Sequence, residues 1–126
     1  MVKSNLISDE ELDGVSGGVL QATEHTVSVK SSNYLSFIRS ASNVAVMFGA
    51  SWCGPAQIMS ETSERFAAKN EQAAVGFVDV DDPSNKKMAD AMGITSIPVI
   101  LYYKNGTLTD RTFGVVPLER MESAFL

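Results

Sequence analysis

The sequence predicts an α/β fold: a central mixed β-sheet flanked by helices on both faces and preceded by a short N-terminal helix. Two largely apolar runs, at residues 44–48 and 74–79, show almost no alternation, which indicates strands buried on both faces. An Asn105-Gly106 pair between two later apolar segments indicates an antiparallel hairpin. With helical patterns between the strands, the element order is β-α-β-α-β-α-β-β-α.

A local sequence pattern predicts each helix and strand. Apolar residues recur at helical spacing between residues 31 and 41, whereas residues 26–29 alternate like a short strand. Asp82 precedes a helix that Gly93 closes, and Pro117 starts the last helix. The predicted strands lie at 26–29, 44–48, 74–79, 97–103 and 108–113, and the predicted helices lie at 31–41, 53–70, 82–92 and 117–125.

Composition limits the function classes. The chain has 126 residues, 44% of them apolar, which is enough for one domain with a substantial core. Its net charge is -5 and it has no basic patch, so we expect no nucleic-acid partner. No apolar run approaches the roughly 18 residues of a membrane span. A single cysteine excludes an internal disulfide and a multi-cysteine metal site. We expect a monomeric domain without metal or cofactor.

The first 18 residues predict a separate short helix. Ser8 is a good N-cap, and Glu11 three residues later completes a capping box. Ile7 can pack on Leu12, which shares a helix face with Val15. The acidic, interrupted segment does not match a secretory signal peptide. The residues that define the pattern are Ile7, Glu11, Leu12, Val15, Gly17 and Gly18.

This pattern resembles the double-glycine leaders of exported bacterial peptides such as class II bacteriocins and microcins. The resemblance implies that a peptidase-containing ABC transporter grips the apolar helix face and cuts after Gly18. The mature chain would then begin at Val19 and be exported to the periplasm or the extracellular space. Residues 19–25 would form a tether to a domain at 26–126. An ordinary capped helix ending in two glycines, or a linker, is the alternative.

The only cysteine lies at the junction between the strand at 44–48 and the helix that follows. Free backbone N–H groups and the helix dipole favour a thiolate at such a position. Pro55 fits the first helical turn, and Gly54 lets a partner's backbone approach the sulfur. These features indicate a reactive Cys53, with a buried inert thiol as the alternative.

Three separated motifs resemble the thioredoxin family: Trp52-Cys53-Gly54-Pro55, Gly93-Ile94-Thr95-Ser96-Ile97-Pro98 and Lys104-Asn105-Gly106. The resemblance implies the thioredoxin fold and a thiol–disulfide oxidoreductase, in which Cys53 attacks protein or peptide disulfides. Trp52 would shield the thiolate, Ile97 would offer its backbone to a substrate strand, and Pro98 would be cis and face the cysteine. Gly114 matches a family glycine beside the substrate groove. For Pro98, a trans bond at a strand start is the alternative.

Two departures from the family pattern bear on activity. The family's resolving cysteine would fall at Ala56, so the mixed disulfide on Cys53 has no internal partner. The intact remainder of the motif favours an engineered alanine over a natural one-thiol form. The family's buried aspartate and its neighbouring lysine would fall at Met47 and Gly76, so fast reductase turnover is not expected.

Other functions stay open. One alternative is a non-catalytic module that binds an extended peptide at Ile97-Pro98. Another is an exported effector with the same fold. His25 is predicted to lie in a surface loop. The acidic residues Asp79, Asp81 and Asp82 are predicted to end a strand and cap a helix rather than to hold a metal.

Overall fold

The computed structural model of the protein describes residues 23–126. The predicted leader at residues 1–18 lies outside the described residues, as does most of the predicted tether. The strands are β1 (Val27–Ser28), β2 (Asn43–Gly49), β3 (Ala74–Asp79), β4 (Val99–Lys104) and β5 (Thr107–Phe113). The helices are α1 (Tyr34–Ile38), α2 (Gly54–Lys69), α3 (Pro83–Ala91) and α4 (Leu118–Ser123). The predicted order of elements is confirmed.

The strands form one mixed sheet in the order β1-β3-β2-β4-β5. β3 pairs in parallel with both β1 and β2, whereas β4 is antiparallel to β2 and β5. β2 and β3 are therefore interior strands, which agrees with their unbroken apolar sequences. The hairpin turns at Asn105 and Gly106, whose φ angles of 52° and 81° are those of a type I′ turn.

Helices cover both faces of the sheet. α2 and α4 bury Met59, Phe66 and Met121 against one face, and the other face carries α1 and α3. Neighbouring strand residues point to opposite faces, so Tyr102 lies in the first core layer and Tyr103 in the second. α2, which follows β2, thus packs on the core layer that contains Tyr102.

The first helix is shorter than the predicted span of residues 31–41. A 3₁₀ turn at Ser31–Asn33 precedes α1, which has only five residues and ends at Ile38. The Ser40 hydroxyl donates a hydrogen bond to the carbonyl oxygen of Phe37 at 2.6 Å. The Ser40 backbone N–H donates to the same carbonyl at 3.0 Å, and the Arg39 N–H donates to the carbonyl of Ser36 at 3.3 Å. These tighter i→i+3 bonds end the helix, and the chain continues into β2.

The acidic segment after β3 caps α3, as the sequence predicts. The Asp82 carboxylate accepts a hydrogen bond from the backbone N–H of Ser84 at 3.0 Å. Burial raises the pKa of the Asp79 carboxyl, although the backbone N–H of Asp81 donates to it. Within residues 23–126 no cluster of three potential metal ligands occurs, and no helix there is long and apolar enough to cross a bilayer.

We expect Gly76→Ala to destabilise the domain by about 1–3 kcal/mol, because a methyl group there overpacks the core. An added Cβ would lie 2.6 Å from the Phe37 ring and 2.6 Å from a Val29 methyl. Urea unfolding measures the loss. The matched control is Gly54→Ala, whose Cβ would meet nothing within 4 Å. Equal stability losses in the two variants would contradict this packing argument.

Residues 23–25 are attached to α2 through a single carboxylate. Glu64 accepts hydrogen bonds from the Thr23 hydroxyl (2.5 Å), the His25 backbone N–H (2.8 Å) and the His25 ring. The hydrogen bond to Glu64 is the main cause of a raised His25 pKa. Desolvation acts to raise the pKa of Glu64, but the hydrogen bonds from Thr23 and His25 outweigh it and lower the pKa. His25 lies at the surface, as predicted, but it is anchored.

The His25–Glu64 contact predicts a pH window for the attachment of this segment. Because the folded pKa of His25 is raised, its stabilising effect is full below about 6.5 and is lost as the pH rises through the raised value. Glu64 contributes above its unfolded pKa and loses that contribution in acid. An NMR titration of the His25 ring should show its pKa falling towards 6.5 in Glu64→Gln. Glu61→Gln, at an exposed position of the same helix, is the control. An unchanged His25 pKa in Glu64→Gln would refute the pairing.

Candidate active site

Cys53 is the N-cap residue of α2, directly after the loop that leaves β2. Its backbone N–H donates to the carbonyl oxygen of Ala50 at 3.1 Å, and its own carbonyl accepts from Gln57 at 3.1 Å. Pro55 occupies the first turn, where no backbone N–H is needed. The thiol is thus held at the positive end of a 16-residue helix.

The cis-proline loop lies against the sulfur. The Ile97-Pro98 bond is cis, so the first of the two sequence alternatives applies. The Cys53 thiol donates to the carbonyl oxygen of Ile97 at a distance of 3.8 Å. Cys53 itself is 8% exposed. Cys53 is thus a buried free cysteine whose sulfur contacts a backbone carbonyl of the cis-proline loop.

The backbone beside the sulfur is partly open to a partner. Within residues 23–126 the N–H of Ile97 has no hydrogen-bond partner. Gly114 has a φ of 71°, and its N–H donates to the carbonyl oxygen of Pro98 at 2.9 Å. A Cβ added at Gly114 would meet no atom within 4 Å. Gly114 therefore borders the cis-proline loop, and the space above it is open.

Trp52 forms the other wall of the site. Its side chain is 70% exposed, and its indole Nε1–H donates to the Asp81 carboxylate at 3.2 Å. Gly54 and Pro55 are also exposed. The sequence around Asp81 indicates only the end of a strand and does not predict a role for this residue in the site. Its link to Trp52 spans 29 residues and has no local signature.

The space beneath the cysteine is apolar. Ala56, where the family resemblance places the resolving cysteine, is fully buried and shares a core layer with Met47 and Met59. Gly76 does not face Met47, because a Cβ there would point at Val29 and Phe37 on the opposite side of the sheet. The two positions expected to correspond to a charged pair are therefore separated by the sheet.

The model of the thioredoxin family matches residues 25–125. The chain belongs to the thioredoxin family. It is 31% identical over 99 residues to a thioredoxin of Alicyclobacillus acidocaldarius, covering 78% of this chain and 92% of that protein. It is 35% identical over 83 residues to a thioredoxin of Mycoplasma genitalium, covering 66% of this chain and 79% of the relative. Thioredoxins are thiol–disulfide oxidoreductases.

Solved thioredoxin structures share the fold. The solution structure of oxidised thioredoxin from Plasmodium falciparum superposes with a TM-score of 0.69 at 27% identity, covering 79% of this chain and 97% of that one. A mutant thioredoxin from Halobacterium salinarum gives a TM-score of 0.71 at 23% identity, covering 82% and 90%. The thioredoxin fold predicted from the sequence is confirmed.

Proposed function

We propose that Cys53 attacks disulfides of protein or peptide substrates and that the resulting mixed disulfide cannot be resolved within this chain. The observation that carries the proposal is the pairing of an N-cap Cys53 with a buried Ala56 one turn later on the same helix. Residues three apart on a helix lie on one face, so position 56 is where a second thiol would reach the first.

The chemistry is a thiol–disulfide exchange. The Cys53 thiolate attacks one sulfur of the substrate disulfide, a new S–S bond forms, and the other substrate sulfur leaves as a thiolate. Attack on the mixed disulfide by an external thiol, such as glutathione, then breaks the bond to Cys53 and releases its thiolate. Without that thiol the reaction stops at the mixed disulfide. The intact motif around Ala56 supports replacement of a resolving cysteine by alanine over a natural one-thiol form.

Three features near the sulfur support the reaction. Cys53 lies at the positive end of the α2 dipole, next to the free backbone N–H groups of the first helical turn. The unpaired N–H of Ile97, within the described residues, can hold an extended substrate strand next to Cys53. The open space above Gly54 admits the substrate backbone.

Residues 1–18 direct export in this proposal. A peptidase-containing ABC transporter recognises Ile7, Leu12 and Val15 with Glu11, cleaves after Gly17-Gly18, and delivers the chain to the periplasm or the extracellular space. The pattern of the segment supports this role. N-terminal sequencing of exported protein should give Val19. An exported chain that retains Met1 would overturn this role, and so would unchanged export of a Gly18→Leu variant.

A peptide-binding module without redox chemistry is the second candidate. The specific observation in its favour is the combination of an exposed Trp52 and an unpaired Ile97 N–H in the described part of the chain. Strand addition at Ile97 needs no thiol. An inert thiol together with retained peptide binding would select this function.

Mass spectrometry after incubation with 2,2′-dipyridyl disulfide, which is uncharged, tests the proposed function. We expect one thiopyridyl adduct on the folded chain and none on Cys53→Ser. The adduct should persist until an external thiol is added. An adduct that forms only after unfolding in urea would show an inert thiol and refute the proposal.

A further inference from the structure

A cleft of about 240 Å³ lies beside the cysteine, between α3 on one side and Trp52 with Ile97 on the other. The carbonyl oxygen of Ile97 accepts from the Cys53 thiol, so the cleft adjoins the sulfur. Val80, Ala89 and Ile94 form its apolar part. A substrate strand held at Ile97 would therefore place a neighbouring side chain at this opening.

Three charged side chains line the cleft, and they leave one negative charge uncompensated. Asp90 pairs with Lys86 at 3.4 Å. One oxygen of Asp81 accepts from Trp52, and its second oxygen has no hydrogen-bond or ion-pair partner within residues 23–126. The next carboxylate along the chain, Asp82, is paired with Lys30 at 3.3 Å. Asp81 is thus the carboxylate in the cleft that is free to meet a cation.

The wall beside Asp81 also suits a cationic side chain. The indole of Trp52 is 70% exposed, and its N–H holds the ring next to the carboxylate. A guanidinium can contact the indole and the carboxylate at once, because it stacks on an aromatic face and donates hydrogen bonds to a carboxylate. The methylene stem of arginine or lysine can pack on the apolar part of the cleft near Ala89 and Ile94.

We infer that this cleft selects substrates with an arginine or lysine next to the disulfide cysteine, through Asp81 and the face of Trp52. The inference rests on the proposed function, since it names the substrate class for the same site. Lys86 opposes the selection by neutralising Asp90. Removing the charge of Asp81 and removing that of Lys86 should therefore change the preference in opposite directions.

Binding of matched peptides to Cys53→Ser tests the inference without any exchange reaction. The probes are end-capped hexapeptides whose single cysteine carries an S-methyl disulfide and is flanked by arginine, norleucine or glutamate. Trp52 is the only tryptophan of the chain, so its fluorescence reports occupation of the cleft. We expect the arginine peptide to bind about fivefold more tightly than the glutamate peptide at low salt, and the ratio to approach one at about 0.5 M salt.

The variants are made in the Cys53→Ser background. Asp81→Asn retains an acceptor for the Trp52 N–H and should reduce the ratio to below about twofold, whereas Lys86→Met should increase it. Glu61→Gln removes an equal charge from an exposed site outside the cleft and should leave the ratio unchanged. A glutamate preference, or an unchanged ratio in Asp81→Asn, would overturn the inference.

The dipyridyl disulfide reaction separates the two proposals. An adduct on Cys53 with no peptide preference overturns the cleft selectivity and leaves the oxidoreductase proposal standing. A charge preference without an adduct supports the selectivity of the cleft and overturns the exchange reaction. The same preference should appear in the rate at which the unmodified chain forms mixed disulfides with the three peptides.

Discussion

Replacing Ala56 with cysteine should let the chain release its reduced substrate, whereas we propose that the present chain stops at the mixed disulfide. Cys53 and position 56 lie on one face of α2, so an introduced thiol can attack the bond on Cys53 directly. An intramolecular thiol acts at a high effective concentration, and we expect release at least about a hundredfold faster than with about 1 mM glutathione.

Loss of the thiopyridyl adduct from Ala56→Cys, followed by mass spectrometry without added thiol, measures this release. Ala56→Ser, with a hydroxyl of similar size, should keep the adduct. No buried carboxylate lies beneath this position within the described chain to take the proton from the new thiol. Release should therefore accelerate as the pH rises towards about 8.5, the ordinary thiol pKa. Equal adduct lifetimes in the two variants would contradict the assignment of position 56.

Met47→Asp should lower the free energy of unfolding at pH 7 by about 3–5 kcal/mol, because it buries a carboxylate without a partner. Met47 is 2% exposed and packs in the core layer that holds Cys53 and Ala56. Gly76 has no side chain that could supply a cation, and a Cβ added there would point to the other side of the sheet. Met47→Leu, which conserves volume, should cost less than about 1.5 kcal/mol.

The loss in Met47→Asp should depend on pH. Burial raises the pKa of the introduced carboxyl above its ordinary value of about 3.9, so the folded state binds its proton more tightly than the unfolded state. The deficit is therefore smallest in acid and grows as the pH rises through the raised pKa. Urea unfolding at pH 4.5 and 7 measures the difference. A deficit equal at both pH values would show that the site admits water or a counter-ion.

Local patterns in the sequence predicted most of the fold. The unbroken apolar runs identified the interior strands, Asn105-Gly106 identified the hairpin, and Asp82 identified the cap of α3. Each of these signals spans only a few residues, so it can be recognised in a single sequence. The predicted length of α1 was wrong because i→i+3 bonds from the N–H groups of Arg39 and Ser40 end the helix early, and the Ser40 hydroxyl adds a second bond to Phe37.

The local motifs of the candidate site could be predicted from the sequence, but the contacts between residues far apart in the sequence could not. The motif at Trp52–Pro55 indicated a reactive cysteine, and resemblance supplied Ile97-Pro98. The contacts of Trp52 with Asp81 and of His25 with Glu64 join residues 29 and 39 positions apart. Such pairs follow from the sheet order and from loop paths, which no local spacing encodes. The family resemblance likewise assigned Met47 and Gly76 to the positions of a charged pair, without revealing that they face opposite sides of the sheet.

The slight attachment of β1 has a mechanical consequence. β1 pairs with β3 over two residues at the edge of the sheet, with one further bond from the Val29 N–H to Phe77 at 2.8 Å. The hydrogen bonds to Glu64 are the only other side-chain anchors of residues 23–26 within the described chain. A force applied to the N-terminal end would thus act on only a few hydrogen bonds. A chain drawn through a narrow channel from that end would begin to unravel at its least connected strand, while β2, β3 and β4 still held together.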